Sequence, residues 1–439
     1  MQPKSPQNPM SPRPLLEHLF KSAVASVAAH HCLPQHLPKS PAIGRTLVLG
    51  AGKAAAAMAH IVSQTVPGRV EGLVVTRYGH GVGEKIPGIP VIEAAHPVPD
   101  EMSMKAARDM LALASSAGPV DRLIFLASGG GSSVLSLPMP GLDFEKKRAL
   151  MRHLVLCGAP ISDINIVRKH VSAIKGGRLL EAARHVGEAL TLVISDVPGD
   201  DPALVASGPT IPDPSRAAEA RAIIERWGAP DIEEILDLLG RAEAETPKSD
   251  PCPHRIIMAA RAADCLSAAR KSARTMGFDV IDLGDRLEGV SAELGQDHAR
   301  LALKLQDLKT PTLILSGGET TVQFNQSSGG GAGGPNLEYL LGMMLELKGA
   351  PGIYALACDS DGIDGKGDHA GGFINPQSLE RAMALGLDPA ESLRQHDSYP
   401  LFKALGDLII TGPTRTNVND FRAILVNPHS ARHDPFEKR

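Results

Sequence analysis

The sequence predicts an α/β protein of two domains, and three observations carry that reading. Short apolar runs that end in glycine recur along the chain, as TLVLGAGKAAAAMAHIV, LIFLASGGGSSVLS, LTLVISDVPGDD, TLILSGGETTV and YALACDSDGIDG, each followed by a helix-like segment. Continuous apolar strands alternating with helices imply a parallel sheet covered on both faces, with ligands at the carboxyl ends of its strands. The chain has 439 residues, more than one hydrophobic core usually serves. The stretch AETPKSDPCPHR, Ala244 to Arg255, is the most loop-like in mid-chain and sets the boundary between an N-terminal domain (15–245) and a C-terminal domain (246–439).

Residues 1–14, MQPKSPQNPMSPRP, are proline-rich and polar, lack the apolar segment of a secretory signal, and read as a disordered lead-in. The first strand ends in GAGKAAA, where Gly50, Gly52 and Ala55 fit the G-x-G-x-x-A frame of dinucleotide-binding turns. Its partner EGLVVTR ends in Thr76 and Arg77 rather than in an acid, so Arg77 facing a 2′-phosphate keeps an NADP-linked reductase as an alternative. Lys53, one step past the glycine turn, suits a phosphate or carboxylate instead. It is not a Walker lysine, because Leu47 replaces the first glycine of that pattern and Ala54 follows the lysine. His96 in AAHPVPDE reads as a turn-packing histidine.

The second glycine turn, Ser128, Gly129, Gly130, Gly131, Ser132 and Ser133, suits an anion because glycine lets backbone amides approach closely. The hydrolase elbow G-x-S-x-G is absent at Ser128, Ser207 and Ser316, which argues against a serine nucleophile. The run NIVRKHVSAIKGGRLL spaces Arg168, Lys175 and Arg178 near one face of a helix, if it is helical as far as the glycines. SDVPGDD places Asp196 at a strand end, and AEARAIIERW and IEEILDLLGRAEAE read as amphipathic structural helices. Ser316, Gly317, Gly318 and Glu319 echo the earlier glycine turn. Asp359 and Asp361 in DSDGIDG are carboxylates that could hold Mg²⁺ together with phosphates, while Ile363 excludes a calcium-binding EF-hand. Arg415, with Asn417 and Asn419, adds charge near the C-terminus. Cations opposite acidic residues form the electrostatic pattern of phosphoryl transfer.

Composition narrows the classes. A formal net charge of −4 leaves no footprint for nucleic acid, and no apolar run is long enough to span a membrane. Five scattered cysteines suggest neither a zinc site nor a disulfide framework, which fits a cytoplasmic protein.

Taken together, GAGKA, HPVPDE, SGGGSS, RKHVSAIKGGRL, SDVPGDD with ASGPT, SGGETTV, DSDGIDG and TGPTRTNVNDF resemble the glycerate 2-kinases of the MOFRL type, in the family's order from about Leu15 to Val426. The resemblance implies a Rossmann-like parallel-sheet domain plus a second α/β domain, with the active site in the cleft between them. It implies ATP-dependent phosphorylation of D-glycerate at the 2-hydroxyl, with Mg²⁺, and a homodimer is a further expectation. The family is also labelled hydroxypyruvate reductase, which coincides with the alternative reached through Arg77. Lys53 and Arg415 match the family's functional lysine and arginine. The expected roles are therefore Lys53, Asp196 and Arg415 in catalysis and Asp359 and Asp361 at the metal. Ser128 to Ser133, Arg178 and Ser316 to Glu319 are the expected phosphate- or substrate-binding residues.

Overall fold

The computed structural model describes residues 10–323 and 330–428, and the chain divides into two compact units. The first comprises Ala28–Arg261 together with Arg415–Asn417; the second comprises the residues up to Val27, Ala262–Thr414 and those from Val418 on.

The first unit contains β1 (Arg45–Ala51), β2 (Arg69–Arg77), β3 (Val91–Ala94), β4 (Arg122–Ser128), β5 (Glu188–Ile194) and β6 (His254–Ala260). They form one sheet in the order β3-β2-β1-β4-β5-β6, and every neighbouring pair is parallel. β4 is buried along its whole length and β1 along six of its seven residues, as strands covered on both faces must be. Leu47, Leu49, Leu123 and Phe125 pack with Ala106, Ala107 and Met110 of the helix Glu101–Ser115. That helix is fixed at its start by Asp100, whose carboxylate accepts from Ser103 N–H while Ser103 Oγ accepts from Asp100 N–H. Strand order reverses between β1 and β4, the place where an open parallel sheet leaves a crevice at its carboxyl edge. A separate helical core forms around Phe144–Leu156, Ile161–His170, Ala217–Trp227 and Glu233–Leu239.

The second unit contains β7 (Asp279–Asp282), β8 (Thr312–Gly318), β9 (Ile353–Asp359), β10 (Gly371–Ile374), β11 (Leu408–Ile409) and β12 (Asp420–Val426), in the order β11-β10-β9-β12-β8-β7. This sheet is mixed rather than parallel. β12 lies antiparallel to both β8 and β9 over seven residue pairs each, β9–β10 and β10–β11 are antiparallel, and only β7–β8 is parallel. The expectation of parallel strands fails here because β8 is buried along all seven of its residues and β9 along five. Burial on both faces produces the same continuous apolar run whichever way the strand points.

Two boundaries also differ from the sequence reading. The Pro- and Ser-rich loop before His254 is an internal connection, because β6 pairs with β5 and the units part only after Arg261. Residues 1–9 of the expected lead-in lie outside the described residues. Pro12 to Pro14 open the helix Pro12–Ser26, whose first turn tolerates proline because its N–H groups have no intrahelical partner. This helix belongs to the second unit, where Phe20 lies 5.7 Å from Phe421, centroid to centroid. Among the described residues, no helix is long and apolar enough to cross a membrane.

Candidate functional site

The β1/β4 switch point sets two glycine-rich turns side by side, and their amides are used differently. After β1, Gly52 has φ of +129°, and a Cβ there would lie 2.3 Å from both O and Oγ of Ser128, so only glycine fits. Gly52 N–H donates to Val75 O (3.1 Å), Lys53 N–H to Gly129 O (2.8 Å), Ala54 N–H to Ser128 Oγ (3.0 Å) and Ala55 N–H to Gly52 O (3.1 Å). The four amides from Gly52 to Ala55, where a dinucleotide pyrophosphate would need donors, are thus all taken by protein oxygens, two of them in the neighbouring turn. Ser128 is therefore a fully buried bolt between the two turns rather than a ligand-facing hydroxyl.

The turn after β4 is arranged the other way. Among the described residues, no protein acceptor engages the amides of Gly130, Gly131 and Ser132. Gly130 is left-handed, with φ of +76°. A Cβ on Gly130 would lie 3.3 Å from Lys53 Cγ and 3.1 Å from His96 Cδ2, which places both side chains against the turn. One residue earlier, a Cβ on Gly129 would lie 2.0 Å from Asp196 Oδ2 and 2.2 Å from Asn417 Nδ2. Asn417 Nδ2 donates to Asp196 Oδ2 at 2.9 Å and so fixes that carboxylate over Gly129. Ser132 Oγ pairs with Ser207 Oγ at 2.7 Å, and Ser133 N–H donates to Gly130 O at 3.1 Å. Lys53, His96, Asp196 and Asn417 thus converge on two consecutive glycines.

The loops that deliver these groups carry backbone strain. Ala206 and Ser207 sit at φ of +54° and +60°, and Arg415 and Asn419 at +61° and +64°, all in the left-handed region that non-glycine residues avoid. Exposed Arg415 reaches the loop after β2, where its Nε donates to Gly81 O at 3.0 Å. Asn417 is buried and Arg415 is not, so the same short segment supplies one fixed amide and one solvent-facing cation.

Other expected site residues are engaged elsewhere. The run from Arg168 to Arg178 is not one helix: Ile161–His170 ends before Lys175, and Gly176 and Gly177, with φ of +59° and +83°, break the chain before Arg178–Ala182 begins. Arg178 Nη2 donates to Ala244 O at 2.8 Å and braces a loop of its own unit. Ser316 is buried in β8, and Gly317 N–H donates to Gly284 O at 2.9 Å. A Cβ on Gly318 would lie 2.1 Å from Leu287 O, so this glycine pair serves close backbone packing; only Glu319 is exposed. The likeness of SGGET to SGGGS therefore reflects two different backbone needs.

Magnesium calls for hard oxygen donors, which carboxylates supply. Asp359 Oδ1 accepts Asp361 N–H (2.8 Å) and Asp361 Oδ1 accepts Ile363 N–H (2.7 Å), so each carboxylate shapes its own loop. Asp361 is fully buried, and among the described residues no group of three or more His, Cys, Asp or Glu side chains is placed to hold a metal. One oxygen of each carboxylate is thus committed to its own loop, and any magnesium ion there would need phosphates to complete its shell.

Two members of the constellation, His96 and Asn417, carry no local signal of a site role. His96 looked like a turn residue, and nothing in TRTNVND distinguishes Asn417 from Asn419 except that the fold brings only Asn417 against Gly129. Two family descriptions match the chain, "Domain of unknown function (DUF4147)" over residues 15–239 and "MOFRL family" over 312–420. A D-glycerate 2-kinase of Thermotoga maritima is 36% identical over 94% of this chain and 98% of that protein. The chain belongs to the glycerate 2-kinase family. The crystal structure of a glycerate kinase from the same organism superposes with a TM-score of 0.84 at 33% identity, covering 95% of this chain and 100% of that one. A protein of Agrobacterium vitis, 47% identical over 95% of each chain, carries a provisional hydroxypyruvate reductase name. Within the glycerate 2-kinase family both names therefore occur, and the geometry of the two turns bears on the choice between them.

Proposed function

We propose that the protein phosphorylates D-glycerate at its 2-hydroxyl with ATP, giving 2-phosphoglycerate. The observation that carries this reading is the contrast between the two turns. The one a nicotinamide dinucleotide would use has its amides engaged, whereas the one beside Lys53 and Asp196 leaves three open. Phosphoryl transfer depends mainly on positioning and charge neutralisation, and these residues supply both. The amides of Gly130, Gly131 and Ser132 hold an anionic group of the reactants. Lys53 neutralises charge beside it, and Arg415 adds a second cation from the loop after β11. Asp196, oriented by Asn417, accepts the proton of the 2-hydroxyl. No step is assigned to Mg²⁺, which the phosphates of the nucleotide can carry. The five cysteines are all free thiols, which supports a cytoplasmic setting.

The test is purified protein with D-glycerate, ATP and Mg²⁺, coupled through enolase with no mutase present, so that only 2-phosphoglycerate produces a signal. A signal that depends on ATP supports the kinase. Oxidation of NADPH by hydroxypyruvate, without ADP formation from ATP and glycerate, would make the reductase reading correct.

A further inference from the structure

A group of buried basic side chains that the mechanism above does not use lies against the segment that follows the open turn. Lys147, on the helix Phe144–Leu156, is 3% exposed, and Lys175, just before the left-handed Gly176 and Gly177, is 1% exposed. Lys175 Nζ donates to Leu135 O (2.8 Å) and to Ala206 O (3.4 Å). Lys147 Nζ donates to Ser136 Oγ (3.3 Å) and to Leu137 O (3.1 Å). The two amino groups therefore grip three consecutive residues, Leu135 to Leu137, that directly follow the short helix Gly131–Val134 of the open turn. Half-buried Arg168, whose Nη1 donates to Asn165 Oδ1 at 2.6 Å, repels both lysines. Among the described residues, no carboxylate pairs with or acts on any of the three. Burial and mutual repulsion lower Lys147 to about 7 and Lys175 well below the usual lysine value, and burial lowers Arg168 to about 10, so without a ligand the two amines give up their protons readily and a nearby anion draws them back into the charged form.

Carbonyl oxygens satisfy the hydrogen bonds of a buried ammonium but do not neutralise it, and a buried charge without an opposite partner is costly. Three such groups, two of them tied to the residues that follow the open turn, form a basic region that an incoming anion charges and completes. We propose that Lys147, Lys175 and Arg168 are positioning residues that supply the counter-charge for the anion held at Gly129 to Ser133, acting through the turn without touching the ligand. This rests on the reading of that turn as the anion site. Lys175 adds a mechanical role, because Leu135 O and Ala206 O tie the open turn to the strained loop that carries Ser207.

A counter-charge has a signature that a brace lacks. Coulomb energy is linear in ligand charge, so removing one cation that costs a monoanion about twofold in affinity costs a trianion about eightfold. D-glycerate carries one negative charge at neutral pH, and 2-phosphoglycerate about three. Calorimetric titration of both ligands against wild type, Lys175→Met and Lys147→Met, with circular dichroism to verify folding, measures the ratio. The proposal expects 2-phosphoglycerate binding to weaken several-fold more than D-glycerate binding in each variant. Equal losses for the two ligands, or none, overturn it. Lys147→Met carries the test alone if Lys175→Met does not fold. Lys53→Ala distinguishes the two levels: if it binds both ligands as wild type does, the anion site itself is misplaced and the proposal falls with it. If it loses binding while the lysine variants show no charge scaling, the proposal alone is wrong.

Discussion

Replacing Gly129 by alanine tests the centre of the site most directly. Gly129 does not need a left-handed backbone, so alanine is allowed conformationally. Its methyl would nonetheless lie 2.0 Å from Asp196 Oδ2 and 2.2 Å from Asn417 Nδ2, where ordinary contact begins at 3.4 Å. Both obstacles are the ends of side chains, so the overlap of about 1.4 Å is relieved by pushing the carboxylate and the amide aside. The fold survives at an overpacking cost of about 1–3 kcal/mol, while a displacement of about 1 Å in a catalytic group costs roughly 100-fold in rate. The Gly129→Ala protein should therefore melt within several degrees of wild type and lose at least about two orders of magnitude in kcat in the enolase-coupled assay. Gly130→Ala is no milder control, because a φ of +76° strains any side chain there although its methyl meets Lys53 and His96 only at 3.1–3.3 Å. A folded Gly129→Ala enzyme with kcat within threefold of wild type would show that the Asp196–Asn417 pair takes no part in the reaction.

Three further outcomes are expected. Lys53→Ala should lower turnover by orders of magnitude with an unchanged melting temperature, since the half-buried side chain removed carries charge rather than packing; near-normal activity would remove it from the mechanism. Arg415→Gly should leave thermal stability unchanged or raised, because glycine relieves the strain of a φ of +61°, while activity falls sharply; parallel loss of both would mark Arg415 as structural. Lys147 has a folded pKa of about 7, below its unfolded value, so the unfolded chain binds the extra proton between pH 7 and about 10. Stability should therefore rise with pH across that window by up to about 1.4 kcal/mol per unit and fall as pH drops toward 7; denaturant titrations should find a flatter profile in Lys147→Met.

The sheet elements were legible because their signal is local. An apolar run closed by glycine marks a strand and its turn, and Lys53 and Asp196 stand out because polar residues at such ends face the ligand side of an open sheet. Partnership was not legible. Ser128 and Ser132 are the same residue type four positions apart, yet one hydroxyl is tied to Ala54 N–H and the other to Ser207. The glycines at 317 and 318 look like those at 129 and 130, but a loop at 284–289 packs against them, and no local pattern announces that neighbour. The spacing of Lys175 from Arg168 suggests a shared helical face, and the left-handed glycines that turn it inward act only through the tertiary fold.

The grouping of Arg415–Asn417 with the first unit has a consequence for biosynthesis. Domains generally fold in the order in which they leave the ribosome, and the six strands of the first sheet are complete once Ala260 has emerged. Asn417, which orients Asp196, is made more than 150 residues later. A nascent chain thus carries all the strands of this sheet while roughly its last two fifths, Asn417 included, are still unmade, and Asp196 meanwhile lacks the amide that fixes it. On the role proposed for Asp196, competence arrives only with the final stretch of polypeptide, so a prematurely terminated product would fold in part and stay silent rather than act on its substrates unchecked.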